Sequence, residues 1–137
     1  MLQQVISTLE HTEKGVFKKY QRKCEDVVME LLFAGASPSV RRLIGSLICK
    51  MYTHGDSLPI YSRVGVIQGF LMSRGVLSGR DASELARCGA LECLATLCQS
   101  HGMILSNTME QSVIAATKHA SAKELSVRCA ALRFLAA

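Results

Sequence analysis

Apolar residues recur at helical spacing along almost the whole of this chain, and nowhere do they alternate with period two for long enough to make a strand. Val16, Phe17, Tyr20, Cys24, Val27, Val28, Leu31 and Leu32 mark one long helix, which Gly35 closes. Ser37 then offers an N-cap and Pro38 a first-turn proline. Val40, Leu43, Ile44, Leu47, Ile48, Met51 and Tyr52 follow, up to Gly55. Pro59 opens a third helix, with Ile60, Val64, Ile67 and Leu71 on one face. Asp81 with Glu84, Asn107 with Glu110, and Ser121 with Glu124 read as capping boxes that start three further helices.

The helix from Asp81 to Gly102 is oily on nearly all sides, leaving only Glu84, Arg87, Glu92, Thr96 and Gln99 for water. Such a helix belongs between neighbours rather than on a surface. Aromatics make up 5% of the chain and Trp is absent, so Leu, Ile, Val, Ala and Cys must fill the interior. "GFLMSRGVLSG" (69–79) holds three glycines but lacks the strand-before, helix-after setting of a dinucleotide loop, and reads as a linker.

The helices themselves repeat. Setting Arg41, Arg87 and Arg128 in register superposes "VRRLIGSLICKMYTHG", "ARCGALECLATLCQSHG" and "VRCAALRFLAA", at intervals of 46 and 41 residues. That period is typical of HEAT-type and armadillo-type repeats, in which each helical hairpin buries its apolar faces only by stacking on the next. The expected architecture is therefore an α-α superhelix forming one domain over residues 1–137. It comprises about three hairpins, 14–54, 59–101 and 107–137. Recurrence at a fixed period assigns Arg41, Arg87 and Arg128 a structural role: each can pair with a carboxylate or loop carbonyl of the neighbouring repeat. Arg42 does not recur and reads as a surface charge. The chain ends inside its last apolar helix, with Leu132, Phe134 and Leu135 placed for a further neighbour, which reads as a piece of a longer solenoid.

The search for chemistry yields little. His54 and His101 fall at expected helix C-termini, where an imidazole suits the dipole, and neither stands beside a nucleophile motif. Cys88, Cys93 and Cys98 are five apart and diverge round a helix, so they do not converge on one metal. The six cysteines lie within apolar helical patterns and "MLQQVISTLEHTEK" is no signal peptide, so free thiols in a reducing compartment are expected. No enzyme, catalytic residue, metal, cofactor or small-molecule substrate is read. The net charge of +5 concentrates in Lys14, Lys18, Lys19, Arg22 and Lys23, a face partly neutralised by Glu10, Glu13, Glu25 and Asp26. Lys18, Lys19, Arg22 and Lys23 are the candidate interaction face, for acidic partner segments or an anionic membrane. The alternatives are a basic nucleic-acid-binding helical protein, for which no stacking aromatics or base-reading motif are present, and a stand-alone regulatory subunit.

"YQRKCEDVVMELLFAGASPSVRRL" (20–43) and "GDSLPIYSRVGVIQGFL" (55–71) resemble the N-terminal region of the HEAT repeat-containing protein 5 family, in particular its plant-type members. The resemblance is specific in those stretches and weaker from 76 to 137. It implies a very large α-solenoid scaffold without catalytic residues. It further implies a cytosolic location peripheral to trans-Golgi and endosomal membranes. Clathrin-adaptor-associated protein partners and a role in vesicle traffic and endosome-to-Golgi retrieval follow from the same resemblance.

Overall fold

A computed structural model describes residues 2–11, 14–72, 76–77, 80–81, 84–122 and 124–136. The described residues form seven α-helices in order: α1 (Leu2–His11), α2 (Lys14–Phe33), α3 (Pro38–His54), α4 (Ile60–Met72), α5 (Glu84–Leu105), α6 (Met109–His119) and α7 (Leu125–Ala136). Between α4 and α5 lies a two-residue antiparallel ladder, β1 (Val76–Leu77) with β2 (Arg80–Asp81). The described residues are all-α apart from that ladder.

Local chemistry explains most of the helix ends. Gly35, at φ 94°, takes the left-handed conformation that stops α2. Ser37 holds the extended N-cap conformation with Pro38 in the first turn of α3, and its carbonyl accepts the Arg41 N–H at 2.8 Å. At the other end the Gly55 N–H bonds the Met51 carbonyl at 2.8 Å. The other three helix starts differ from the capping-box reading. Asp81 belongs to β2, and α5 begins at Glu84. A 3₁₀ turn over Ser106–Thr108 precedes α6, whose N-cap Thr108 makes no side-chain capping bond, its hydroxyl donating back to the Leu105 carbonyl. Helix α7 starts only at Leu125, and the Glu124 carboxylate reaches away to Arg87 at 2.6 Å. In each case a tertiary partner or a tighter turn takes what a local cap would have used.

Two further differences concern whole elements. Helix α1 was not expected, and it lies against α3. His101 and Gly102 do not end the fourth expected helix. His101 kinks it (φ −128°, ψ 31°), and the helix continues to Leu105.

The packing is two-layered. In one layer, labelled the inner, α1, α3, α5 and α7 lie side by side in chain order; in the other, labelled the outer, α4 and α6 are neighbours and α2 leans onto α5 as well as α3. The sequential pairs α2/α3, α4/α5 and α6/α7 bridge the layers. Helix α5 sits at the centre, with Ala90, Leu91, Leu94 and Leu97 fully buried, which is why its sequence carries so little polarity. Burial of each such leucine contributes about 1.5–3 kcal/mol. Gly89 permits the close approach of α2 and α3 to α5: a Cβ there would stand 3.0 Å from Leu32 Cδ1 and 3.2 Å from Arg41 Cδ. Phe33 and Phe70 stack across α2 and α4 with centroids 4.6 Å apart.

Candidate functional site

The register arginines lie on α3, α5 and α7, and two of them, Arg41 and Arg87, act between neighbouring helices of the inner layer. Arg41 on α3 forks onto Glu92 of α5, Nε to Oε2 at 2.7 Å and Nη2 to Oε1 at 3.2 Å, and its Nη1 donates to the Ala36 carbonyl at 3.1 Å. The guanidinium is almost enclosed, and the Glu92 bond raises it further above its already high ordinary pKa. Arg87 on α5 makes a single contact, Nη2 to Oε1 at 2.6 Å, with Glu124, which stands just before α7. Ser126 of α7 also donates to Glu84 of α5. Arg128 on α7 forms no ion pair among the described residues. Arg42 is exposed.

The outer layer is stitched in a different way. Gln68 of α4 donates to Ser112 Oγ and the Thr108 carbonyl at 2.8 and 3.2 Å. His119, buried on α6, donates from Nε2 to the Leu71 carbonyl at 2.7 Å, and Lys118 reaches the Met72 carbonyl. In the inner layer, His101 of α5 donates to the Cys49 carbonyl of α3 at 3.2 Å and meets the Tyr52 ring edge-on. His54 remains in the last turn of α3, against Phe17. The imidazoles at 101 and 119 are thus committed to holding helices together.

The most chemically unusual place is the groove between α2 and α4, of about 370 Å³. Lys18 and Arg22 line it, four residues apart on one face of α2, with Ser62 and Arg63 of α4 opposite. Lys19 and Lys23 are exposed one residue further round, about 100° away. The four basic residues therefore occupy two faces, with only Lys18 and Arg22 at the groove. Gln21 and Glu25 also line it, each only 2% exposed. Gln21 clamps the α3–α4 loop through both ends of its amide: Nε2 to the Asp56 carbonyl at 2.7 Å, and the Asp56 N–H to Oε1 at 2.8 Å.

Glu25 corrects the sequence reading, which placed it among solvated neutralising charges. Burial pushes its carboxyl above the ordinary range, an effect that the Tyr52 hydroxyl and Arg63 only partly offset. Arg63 gives its short bond, 2.6 Å, to Asp26 and stands 3.9 Å from Glu25. Glu25 Oε1 and the nearby Tyr52 hydroxyl are both buried without reaching hydrogen-bonding geometry. Burial, then the neighbouring carboxylate, moves the Tyr52 phenol upward as well. The signal for this buried polar pair was present in the sequence, since Gln21 and Glu25 continue the stripe Phe17, Val28 and Leu32 at steps of three and four. Identity pointed outward and position inward, and position decided.

A second groove, about 440 Å³, crosses the inner layer, where Arg42 of α3, Thr96 and Gln99 of α5 and Arg133 of α7 share one surface. All six cysteines are free thiols, and burial pushes Cys93 up to about 12. Among the described residues no group of three or more His, Cys, Asp or Glu side chains is placed to hold a metal ion. No described helix is long and apolar enough to cross a membrane.

These features define an all-α protein of stacked, polar-stitched helices. Over 118 residues, 86% of the chain, the sequence is 31% identical to Protein SWEETIE of Arabidopsis thaliana, so its relationship is Sweetie-like. The chain spans 5% of that relative's length. No family model and no solved structure matches it.

Proposed function

We propose that this chain is a segment of a HEAT-type α-solenoid, a non-catalytic scaffold that binds protein partners. The observation carrying this reading is the recurrent arginine. At equivalent places on α3 and α5 it ties one inner-layer helix to a carboxylate of the next, which is how a one-dimensional stack fixes its successive layers. Such a stack offers long grooves rather than a closed pocket. The groove between α2 and α4 also carries Asp26 and Asp56, so it is the exposed Lys18 and Arg22 on its wall that are proposed to meet acidic segments of a partner.

The cellular setting follows from the resemblance of residues 20–43 and 55–71 to the HEAT repeat-containing protein 5 family. The proposed role is in trans-Golgi and endosomal traffic, with clathrin-adaptor-associated partners and peripheral attachment to those membranes from the cytosolic side. The nucleic-acid alternative draws less support, because Lys18 and Arg22 face the groove while Lys19 and Lys23 lie on another side. The test is to tag the endogenous protein at full length and follow it beside trans-Golgi and endosome markers. Co-localisation with recovery of adaptor-associated proteins is expected. A diffuse distribution without adaptor recovery would sink the trafficking role.

A further inference from the structure

Helix α5 lies between α3 and α7 in the inner layer, and the groove of about 440 Å³ runs over it from one neighbour to the other. Each rim carries an arginine, Arg42 on α3 and Arg133 on α7. Both are exposed, and neither forms an ion pair among the described residues. The carboxylate in the groove, Glu92, is taken by Arg41 through two hydrogen bonds. Arg41, Arg42 and Arg133 set against Glu92 leave an excess of two positive charges among the lining residues. Both rims are built from helices packed on α5, with Ala130 and Phe134 of α7 buried. Leu132 points about 200° away from Ala130 round α7, so a further inner-layer helix beside Leu132 would leave this groove open.

The chemistry of the groove selects its ligand. Two unpaired guanidinium groups call for carboxylates. Between them Ala95, Ala130 and Phe134 supply apolar lining, which a bare polyanion leaves unused and an apolar side chain fills. Gln99 of α5 is exposed and has no partner among the described residues, so its amide offers both a donor and an acceptor. These match the free N–H and C=O groups of an extended chain, whereas a helix pairs such groups internally. We infer that the Arg42–Arg133 groove over α5 binds an extended, acidic segment of a partner protein, with an apolar side chain set between its carboxylates. This inference rests on the scaffold reading above and adds a second surface to it, distinct from the Lys18 and Arg22 wall of the α2/α4 groove.

The probe is a fluorescein-labelled peptide of sequence DDLDDLDD, titrated into the complete 137-residue protein and followed by anisotropy. Saturable binding is expected, weakened about tenfold by Arg42→Gln and about tenfold by Arg133→Gln, the loss of one charge-assisted contact each. Both side chains are exposed, so the urea midpoint of either variant should stay at the wild-type value. A DDSDDSDD peptide should bind at least about fivefold more weakly, because it leaves the apolar lining empty. Replacing Lys18 and Arg22 by Gln should hold the affinity within about twofold, as changes at distant sites act independently. No saturable binding would overturn the inference. So would equal affinity for the two peptides, which is charge attraction without a shaped site. A loss confined to the Lys18 and Arg22 variant would also overturn it, moving acidic recognition to the α2/α4 groove and leaving the proposed function standing. Tighter binding of a DNA duplex than of the peptide, lost in the same two arginine variants, would give the groove to nucleic acid and overturn it too. The scaffold reading fails separately, on the localisation and adaptor recovery of the tagged full-length protein.

Discussion

Glu92→Ala should destabilise the protein by about 2–3 kcal/mol, much of it from the charge left behind on Arg41. The Arg41 side chain is 8% exposed and that of Glu92 31%, so the pair lies between a surface bridge and a buried one. Exposed pairs contribute about 0.2–1 kcal/mol, whereas removing one partner of a buried pair costs about 3–5 kcal/mol. Glu92→Ala strands a nearly enclosed guanidinium whose one remaining acceptor among the described residues is the Ala36 carbonyl. Arg41→Met leaves a carboxylate that one-third exposure lets water reach, so its cost should be nearer 1–2 kcal/mol by the same scale. The double variant should recover part of the loss, giving a coupling of about 1.5–2 kcal/mol. Urea unfolding followed by helical circular dichroism reads all four corners of the cycle, with unchanged slopes as the check on two-state behaviour. Because the pair is shielded, the coupling should survive about 1 M salt, where exposed charges are screened within about 3 Å. A coupling below about 0.5 kcal/mol, or one that salt removes, would refute the view that this arginine orients the stack.

Glu25 gives a pH dependence of defined sign. Its folded pKa lies above the ordinary 4.5, so the native state holds a proton that the unfolded chain has lost, and stability falls as pH rises above that value. Glu25→Gln should therefore match wild type near pH 4 and exceed it at pH 8 in urea midpoint; the opposite trend would mean that Arg63 stabilises the ionised form. Gly89→Ala adds about 1 kcal/mol of helix propensity but presses a methyl against Leu32 and the pinned Arg41. A net loss of about 1 kcal/mol is expected, reduced in an Arg41→Met background, and thermal unfolding of the four variants decides it. Cys88 and Cys93 are buried, and with the Cys93 thiol at about 12 neither should react with a disulfide reagent at pH 8 until the protein unfolds. Mass mapping of labelled peptides would show early modification there if the interior were open.

Helix content and most helix positions were legible in the sequence because they rest on local physics. Apolar spacing, Ser37–Pro38 at a start and Gly35 at a stop act within a few residues, and the structure keeps each of them. The period of the arginines was legible for the same reason, being a pattern along the chain. The helix starts read from Asp81, Asn107 and Ser121 were not retained, because a capping box competes with partners that only a folded chain brings near. Glu124 shows this directly, since its carboxylate is engaged by Arg87 from another helix. Helix α1 escaped notice because it is only ten residues long, although its apolar residues are strongly one-sided, and it lies against α3.

The candidate site divides along the same line. The sequence by itself determined that this protein is a run of amphipathic helices with a repeating arginine and a basic segment on the second helix. Only the tertiary structure decided which carboxylates those arginines meet, that Lys18 and Arg22 part from Lys19 and Lys23, and that Glu25 lies buried beside Tyr52. Helical spacing fixes which residues share a face, but the direction that face looks depends on neighbours distant in the chain. Desolvation and ion pairing act through space, so their outcome is settled only when those neighbours are in place.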